Sequence, residues 1–399
     1  MKFIARTHYL DKLKKLKGTP DIKVITGVRR SGKSKLMNNY IEWIKSNDAD
    51  ANIVYIDFTK LQFENLLEYH ALNNYIEEKY SPKQNNYLFI DEVQMCPRFE
   101  LALNSLHSAE TFDIYVTGSN AFLLSSDLAT LFTGRTYEIE VFPFSFTEYL
   151  QYYKAKNIED AFTQYIKTGG LAGSYVYEEQ EDRYNYIADV FNTLIVRDIR
   201  QKYKIRNTTL LEQLSDFLMD NISNLTSIRK ISDTLSNNGA KINHKTVGKY
   251  LEYLCNAFAF YRVRRYDIKG KKYLSTSDKY YLSDHSFKYA RLGTKDMDYG
   301  RIMENIVAIE LMRRGYEIYA GVLYKKEIDF VAVKRNEKIY IQVSDNITDE
   351  NTFKREVDPL LKIKDAYPRV LIARTRHDTY QFEGIQIVDI VNWLQNAQL

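Results

Sequence analysis

The chain has 399 residues, 45% of them hydrophobic and 27% charged, enough apolar material for a packed core and too much for global disorder. Six prolines, sixteen glycines and no repeated tract exclude collagenous and low-complexity classes; the two cysteines, Cys96 and Cys255, exclude a disulfide framework or a Cys-type zinc site. The formal charge is only +4, yet residues 206–292 carry 15 basic against 8 acidic side chains while residues 1–150 carry 17 against 19, so the positive excess sits in one segment.

In chain order, Met1–Arg6 lacks the apolar run of a leader, and no 18-residue apolar stretch occurs anywhere. With two thiols and no leader, the expectation is a soluble cytoplasmic protein without membrane contact. Ile22–Thr26 then reads as a short buried strand. It runs into Gly27-Val28-Arg29-Arg30-Ser31-Gly32-Lys33-Ser34, a full match to the phosphate-binding pattern G-x-x-x-x-G-K-[ST]. Leu36, Met37, Tyr40, Ile41 and Ile44 follow at helical spacing, which supplies the strand–loop–helix context the motif needs. The glycines let backbone N–H groups point at phosphate oxygens, and the helix start adds its positive dipole end. Lys33 is placed to reach the β- and γ-phosphates, and the Ser34 hydroxyl to ligate Mg²⁺. Ile53–Asp57 reads as a second strand.

Tyr87–Ile90 is an apolar run ending in Asp91-Glu92, the Walker B form. Asp91 is expected in the Mg²⁺ shell, and Glu92 as the group that orients and deprotonates the attacking water. Phe112–Thr117 reads as another parallel strand with a polar tip, Gly118-Ser119-Asn120. Asn120 or Ser119 is a candidate γ-phosphate sensor there; an ordinary turn is the alternative.

These parts, with Asp91-Glu92-Val93-Gln94, Thr133-Gly134-Arg135, Phe142-Pro143-Phe144-Ser145-Phe146, Gly169-Gly170 and Val196-Arg197-Asp198-Ile199, resemble a prokaryotic AAA-like P-loop ATPase family along essentially the whole chain. Members fuse the ATPase to a carboxy-terminal part of uncharacterised function. The resemblance implies that Arg135 is an arginine finger or phosphate sensor. A finger supplied by a neighbouring subunit would imply a homo-oligomer. The alternative for Arg135 is a structural salt bridge. Arg197 has the same two readings, a sensor or a helix-end ion pair.

Residues 151–205 read as helices broken at Gly169-Gly170, a lid or linker. Thr226-Ser227 marks the start of a helix with Ile228, Ile231 and Leu235 on one face. Asn237-Asn238-Gly239 is a turn, and a second helix starts near His244 with Val247, Leu251 and Leu254 inward. Strand-like runs Tyr261–Tyr266 and Lys272–Leu274 follow, joined by Asp267–Lys271. Helix, turn, helix and basic hairpin is the order of a winged helix. Arg262, Arg264, Arg265, Lys269, Lys271 and Lys272 suit phosphate contact, so double-stranded DNA is the expected partner of residues 206–292, with protein interaction as the alternative.

Residues 299–314 read as a helix carrying Glu304, followed by strands Glu327–Val333 and Ile339–Ser344. This resembles the restriction-endonuclease-like fold, with Asp329 at the strand acid, Glu304 as the helix acid, Gln342 where a second acid is expected and Ser344 where Lys is expected. Two of four positions depart from the pattern, so the resemblance supports the fold more than the activity. Lys325 and Lys326, near Asp329, precede the strand and read as exposed. The expected architecture is multidomain α/β: an ATPase domain (1–150), a helical lid (151–205), a winged helix (206–292) and an endonuclease-like domain without a working nuclease (293–399). The expected function is Mg²⁺-dependent hydrolysis of ATP to ADP and phosphate, coupled to conformational change or assembly on DNA. A nucleotide-gated switch acting on a protein partner, and an ATP-dependent nuclease, are the competing classes.

Overall fold

The computed structural model describes residues 4–118, 132, 134–236, 242–294, 298–324 and 326–396. They group into two compact units, one within 1–141 plus 197–204, the other within 142–196 plus 205–399.

In the first unit, β1 (Ile22–Thr26), β2 (Ala51–Asp57), β3 (Asn85–Asp91), β4 (Asp113–Thr117) and β5 (Thr136–Glu140) form a parallel sheet in the order β2-β3-β4-β1-β5. Helices α1 (Thr7–Lys15), α2 (Lys33–Asn47), α3 (Tyr69–Glu78) and α4 (Phe99–Ser108) accompany it. Parallel strands joined by helical crossovers are covered on both faces, and accordingly every residue of β1 is buried. The two-residue strand period splits the core. Val24, Leu88, Ile90 and Val116 pack with Leu72 and Leu103 of α3 and α4, while Ile25, Phe89 and Tyr115 pack with Leu36, Tyr40 and Ile44 of α2. Lys23, fully buried in β1, is tolerated because its Nζ lies 2.6 Å from Asp113 Oδ1 and also donates to Thr19 O. Because all strands run one way, the carboxyl ends of β1, β3 and β4 share one edge, with β4 between the other two. That edge is where open α/β sheets bind ligands.

The second unit begins with α5 (Phe146–Tyr153), α6 (Ile158–Thr168) and α7 (Gln180–Thr193), then α8 (Thr208–Asp220), α9 (Ile228–Ser236) and α10 (His244–Asn256). Helix starts follow capping chemistry: Ser145 and Glu148 form a capping box, Ser227 Oγ accepts from Lys230 N, and Asn243 caps α10. The hairpin β6 (Phe260–Asp267) and β7 (Lys272–Leu282) leads to α11 (Ser286–Leu292) and α12 (Tyr299–Arg313). Next come β8 (Glu317–Leu323), β9 (Lys326–Lys334), β10 (Glu337–Ser344), α13 (Glu350–Leu361), β11 (Arg369–Ala373), β12 (Tyr380–Phe382), β13 (Ile385–Asp389) and α14 (Ile390–Gln395). One mixed sheet runs β12-β13-β11-β10-β9-β8-β6-β7. Strands β8, β9 and β10 are an antiparallel meander, whereas β10–β11 and β6–β8 pair in parallel. Strand β7 extends eight residues beyond Leu274, and through β6 the hairpin joins the same sheet as the terminal strands. Among the described residues, no helix is long and apolar enough to cross a membrane.

Candidate functional site

The loop between β1 and α2 needs its glycines. Gly27 has φ +130°, and a Cβ there would lie 2.1 Å from Val141 O; Gly32, the residue before α2, has φ +99°. Between them Arg30, exposed, is also left-handed at φ 65°. Val28 and Ser31 are buried, and Arg29 is half-buried with its Nη1 3.5 Å from Asp198 Oδ1. Ser31 O accepts from Arg6 Nη1 at 2.7 Å, so the amino-terminal segment braces the loop.

Lys33 opens α2 and is buried, its Nζ donating to Gly27 O at 2.8 Å and Val28 O at 3.2 Å. Burial lowers its pKa, against the pull of Glu92 and Asp91. Asp91 ends β3. Burial raises its carboxyl, opposed by hydrogen bonds from the hydroxyls of Thr117 and Ser34. Ser34 and Asp91, assigned separately to the metal shell from sequence, are therefore in contact. Glu92 follows in the left-handed region (φ 55°, ψ 46°), its carboxylate held by Gln94 Nε2 and its N–H donated to Thr117 Oγ1 at 3.2 Å. The Thr117 hydroxyl donates in turn to Asp91 Oδ1. This one side chain fixes both acids. The sequence marks Thr117 as the last residue of a strand and the first of the resembling run Thr117-Gly118-Ser119-Asn120, without a role of its own; that role appears once β4 is seen to lie between β1 and β3.

Arg6, Gln94, Thr117 and Asp198 are the contributors that motif spacing does not reveal. Asn120, Ser119 and Thr133 lie outside the described residues, as does the side chain of Arg197. Arg135 is exposed, and its carbonyl accepts from Ile22 N at the start of β1. Gly27 follows the other end of that strand, five residues on at about 3.3 Å each, roughly 16 Å away. A sensor role for Arg135 on phosphate held by its own chain is thus out of reach. No ion pair to it occurs among the described residues.

Three features suit a triphosphate with Mg²⁺. The loop runs directly into the start of α2, where the first helical amides lack an intrahelical acceptor; the buried Ser31 Oγ has no hydrogen-bond partner among the described residues; and Ser34 and Asp91 offer neighbouring oxygens. Mg²⁺ commonly takes only one or two protein ligands, the rest coming from phosphate and water, which this donor set matches.

Residues 19–150 match the family model described as an AAA domain, and residues 159–298 match a domain of unknown function (DUF8612). An uncharacterized protein of Haemophilus influenzae is 38% identical over 400 residues, covering 98% of each chain. The uncharacterized protein MJ1544 of Methanocaldococcus jannaschii is 28% identical over 386 residues, covering 92% of this chain and 84% of its own. Among solved structures, the Walker-type ATPase PABY2304 of Pyrococcus abyssi is 16% identical, with 72% of this chain and 95% of its own covered and a TM-score of 0.48. Near-complete coverage on both sides at 38% identity makes this chain a member of the same family as the Haemophilus influenzae protein, with an AAA-type P-loop ATPase domain at its amino-terminal end.

Proposed function

We propose that the chain binds ATP with Mg²⁺ in the Gly27–Ser34 loop, hydrolyses it to ADP and phosphate, and couples the cycle to conformational change or assembly on duplex DNA. The observation that carries the first part is the convergence of Lys33, Ser34, Asp91 and Glu92 on one sheet edge, with Thr117 tying the two acids together. The loop amides and Lys33 bind the phosphates, which take over the ammonium's bonds to Gly27 O and Val28 O. Ser34 and Asp91 hold the metal, which when bound neutralises phosphate charge. Glu92 accepts the proton of the attacking water, its carboxylate aimed by Gln94. Arg135, exposed at the far end of β1, is assigned to the nucleotide of a neighbouring subunit.

For the DNA part, support comes from residues 206–292. Helices α9 and α10 precede the β6–β7 hairpin in winged-helix order, and Lys269, Lys271 and Lys272 are exposed at its turn. The order α12-β8-β9-β10-α13-β11, with an antiparallel meander and β11 parallel to β10, supports an endonuclease-like core. Phosphate release measured with and without duplex DNA tests the coupling. Turnover that rises with DNA supports it, and turnover indifferent to DNA moves the 206–292 module to protein interaction.

A further inference from the structure

Glu304 of α12 and Glu327 and Asp329 of β9 converge on a side chain that no sequence pattern places there. Lys279 belongs to β7, three positions from β9 in the sheet order, and 50 residues before Asp329 in the chain. Its Nζ lies 2.7 Å from Glu304 Oε1, 2.5 Å from Glu327 Oε1 and 3.3 Å from Asp329 Oδ1, and the side chain is 1% exposed. An ammonium has three donors, and three carboxylate oxygens meet them.

Two further donors reach the same acids. Tyr281 OH donates to Glu304 Oε1 at 2.6 Å, and Val343 N donates to Asp329 Oδ2 at 2.9 Å. Gln342, at the position where a second acid is expected, accepts from Asp329 N and donates to Glu356. Ser344, where Lys is expected, donates to Asn346 O. Lys326 is occupied with Asp358 on the surface, and Lys325 lies outside the described residues. Among the described residues, no group of three or more His, Cys, Asp or Glu is arranged to hold a metal ion. The residues present therefore do not fit the divalent cation that an endonuclease-like core implies, because the Lys279 ammonium itself occupies an oxygen of each acid and the second-acid position holds neutral Gln342, already bonded to Asp329 N and Glu356.

We propose that Lys279 is the resident cation of this cluster, and that the cluster is a metal-free ion-pair lock fastening the β6–β7 hairpin to α12 and β9 rather than a phosphodiesterase centre. Asn305 extends the same junction, its side-chain amide exchanging hydrogen bonds with Leu282 N and O. One lysine against three carboxylates leaves negative charge in excess. Burial, with the neighbouring Glu304 charge, pushes Asp329 up to about 8, and burial raises Glu304 too, so a proton supplies part of the positive charge a metal would bring. The lock is independent of the ATPase reading. It draws on the endonuclease-like reading only for the expectation of a metal.

The test uses the full chain without nucleotide. Mn²⁺ titration should give the same binding for the native chain and for Asp329→Asn, and supercoiled DNA with Mg²⁺ or Mn²⁺ should stay intact with or without ATP. Lys279→Met, which strands buried carboxylates, should lose roughly 10 °C of melting temperature or fail to fold, and Mn²⁺ should raise its melting temperature more than the native one. Lys279→Met combined with Glu304→Gln and Asp329→Asn should recover most of the loss, because the one carboxylate left without its lysine, Glu327, is partly exposed to water. Mn²⁺ binding or DNA cleavage by the native chain that disappears in Asp329→Asn overturns the proposal. So does a Lys279→Met chain as stable as the native one, or a triple variant no better than the single.

Discussion

Glu92 carries a left-handed backbone that costs a non-glycine residue on the order of 1–3 kcal/mol, and it is held there by the bond from its own N–H to Thr117 Oγ1. Replacing Thr117 by Val keeps the shape of the side chain but removes the bridge between Glu92 and Asp91. We expect turnover to fall about 10–100-fold while ATP affinity changes little, read as separate effects on kcat and Kd. The fixed spacing of the phosphate-binding pattern made Lys33 and Ser34 legible from sequence alone. Thr117, Gln94 and Arg6 were not, because their roles depend on which strands become neighbours. Lys279 was hidden for the same reason. The Asp329 carboxyl beside it yields a second expectation. Its folded pKa of about 8 lies above the ~3.9 of an unfolded chain, so the folded form keeps a proton that the unfolded form releases. That stabilising contribution is full below about pH 4 and is lost as pH rises through about 8. Melting temperatures taken from pH 5 to 8 should decline, and the decline should flatten in Asp329→Asn.

At the scale of elements, strand β7 shows how charge hides a strand. The polar run Ser275–Lys279 follows Leu274 with no apolar alternation, so the sequence supports the strand only as far as Leu274, yet Asp278 and Lys279 are buried because partners meet them. Arg262 Nε lies 2.6 Å from Asp278, and three acids surround Lys279. In the first unit the mainly apolar runs of β1 to β4 were readable from sequence, whereas β5, Thr136–Glu140 with the acids Glu138 and Glu140, was not. At the β6–β7 turn the lysines remain exposed, which is where a phosphate backbone would be met. Reversing Lys269, Lys271 and Lys272 to Glu should weaken duplex binding for all sequences. It should also flatten the dependence of log affinity on log salt by roughly one unit for each phosphate no longer neutralised. Unchanged affinity and slope in a salt titration would remove the hairpin from the DNA-binding surface. At the loop, Gly27→Ala should abolish nucleotide binding, since a Cβ would meet Val141 O at 2.1 Å. Fluorescent-nucleotide titration reads this directly.

For the whole molecule, the role proposed for Arg135 would connect catalysis to assembly. Its own nucleotide loop is at the other end of β1, so any contribution to hydrolysis comes from an adjacent subunit. Arg135→Ala and Glu92→Gln should each be slow alone. Mixed together they should regain part of the native rate, because a subunit with an intact Glu92 then meets a neighbour with an intact Arg135. No gain on mixing would make Arg135 a bystander. The proposed function requires hydrolysis in which Glu92 activates water. The most direct measurement is phosphate release by the full chain at saturating Mg-ATP, for the native protein and for Glu92→Gln, with nucleotide binding measured on both. The expected result is turnover by the native chain and a loss of at least ~100-fold in Glu92→Gln with binding retained. A Glu92→Gln chain that hydrolyses ATP at the native rate would contradict it.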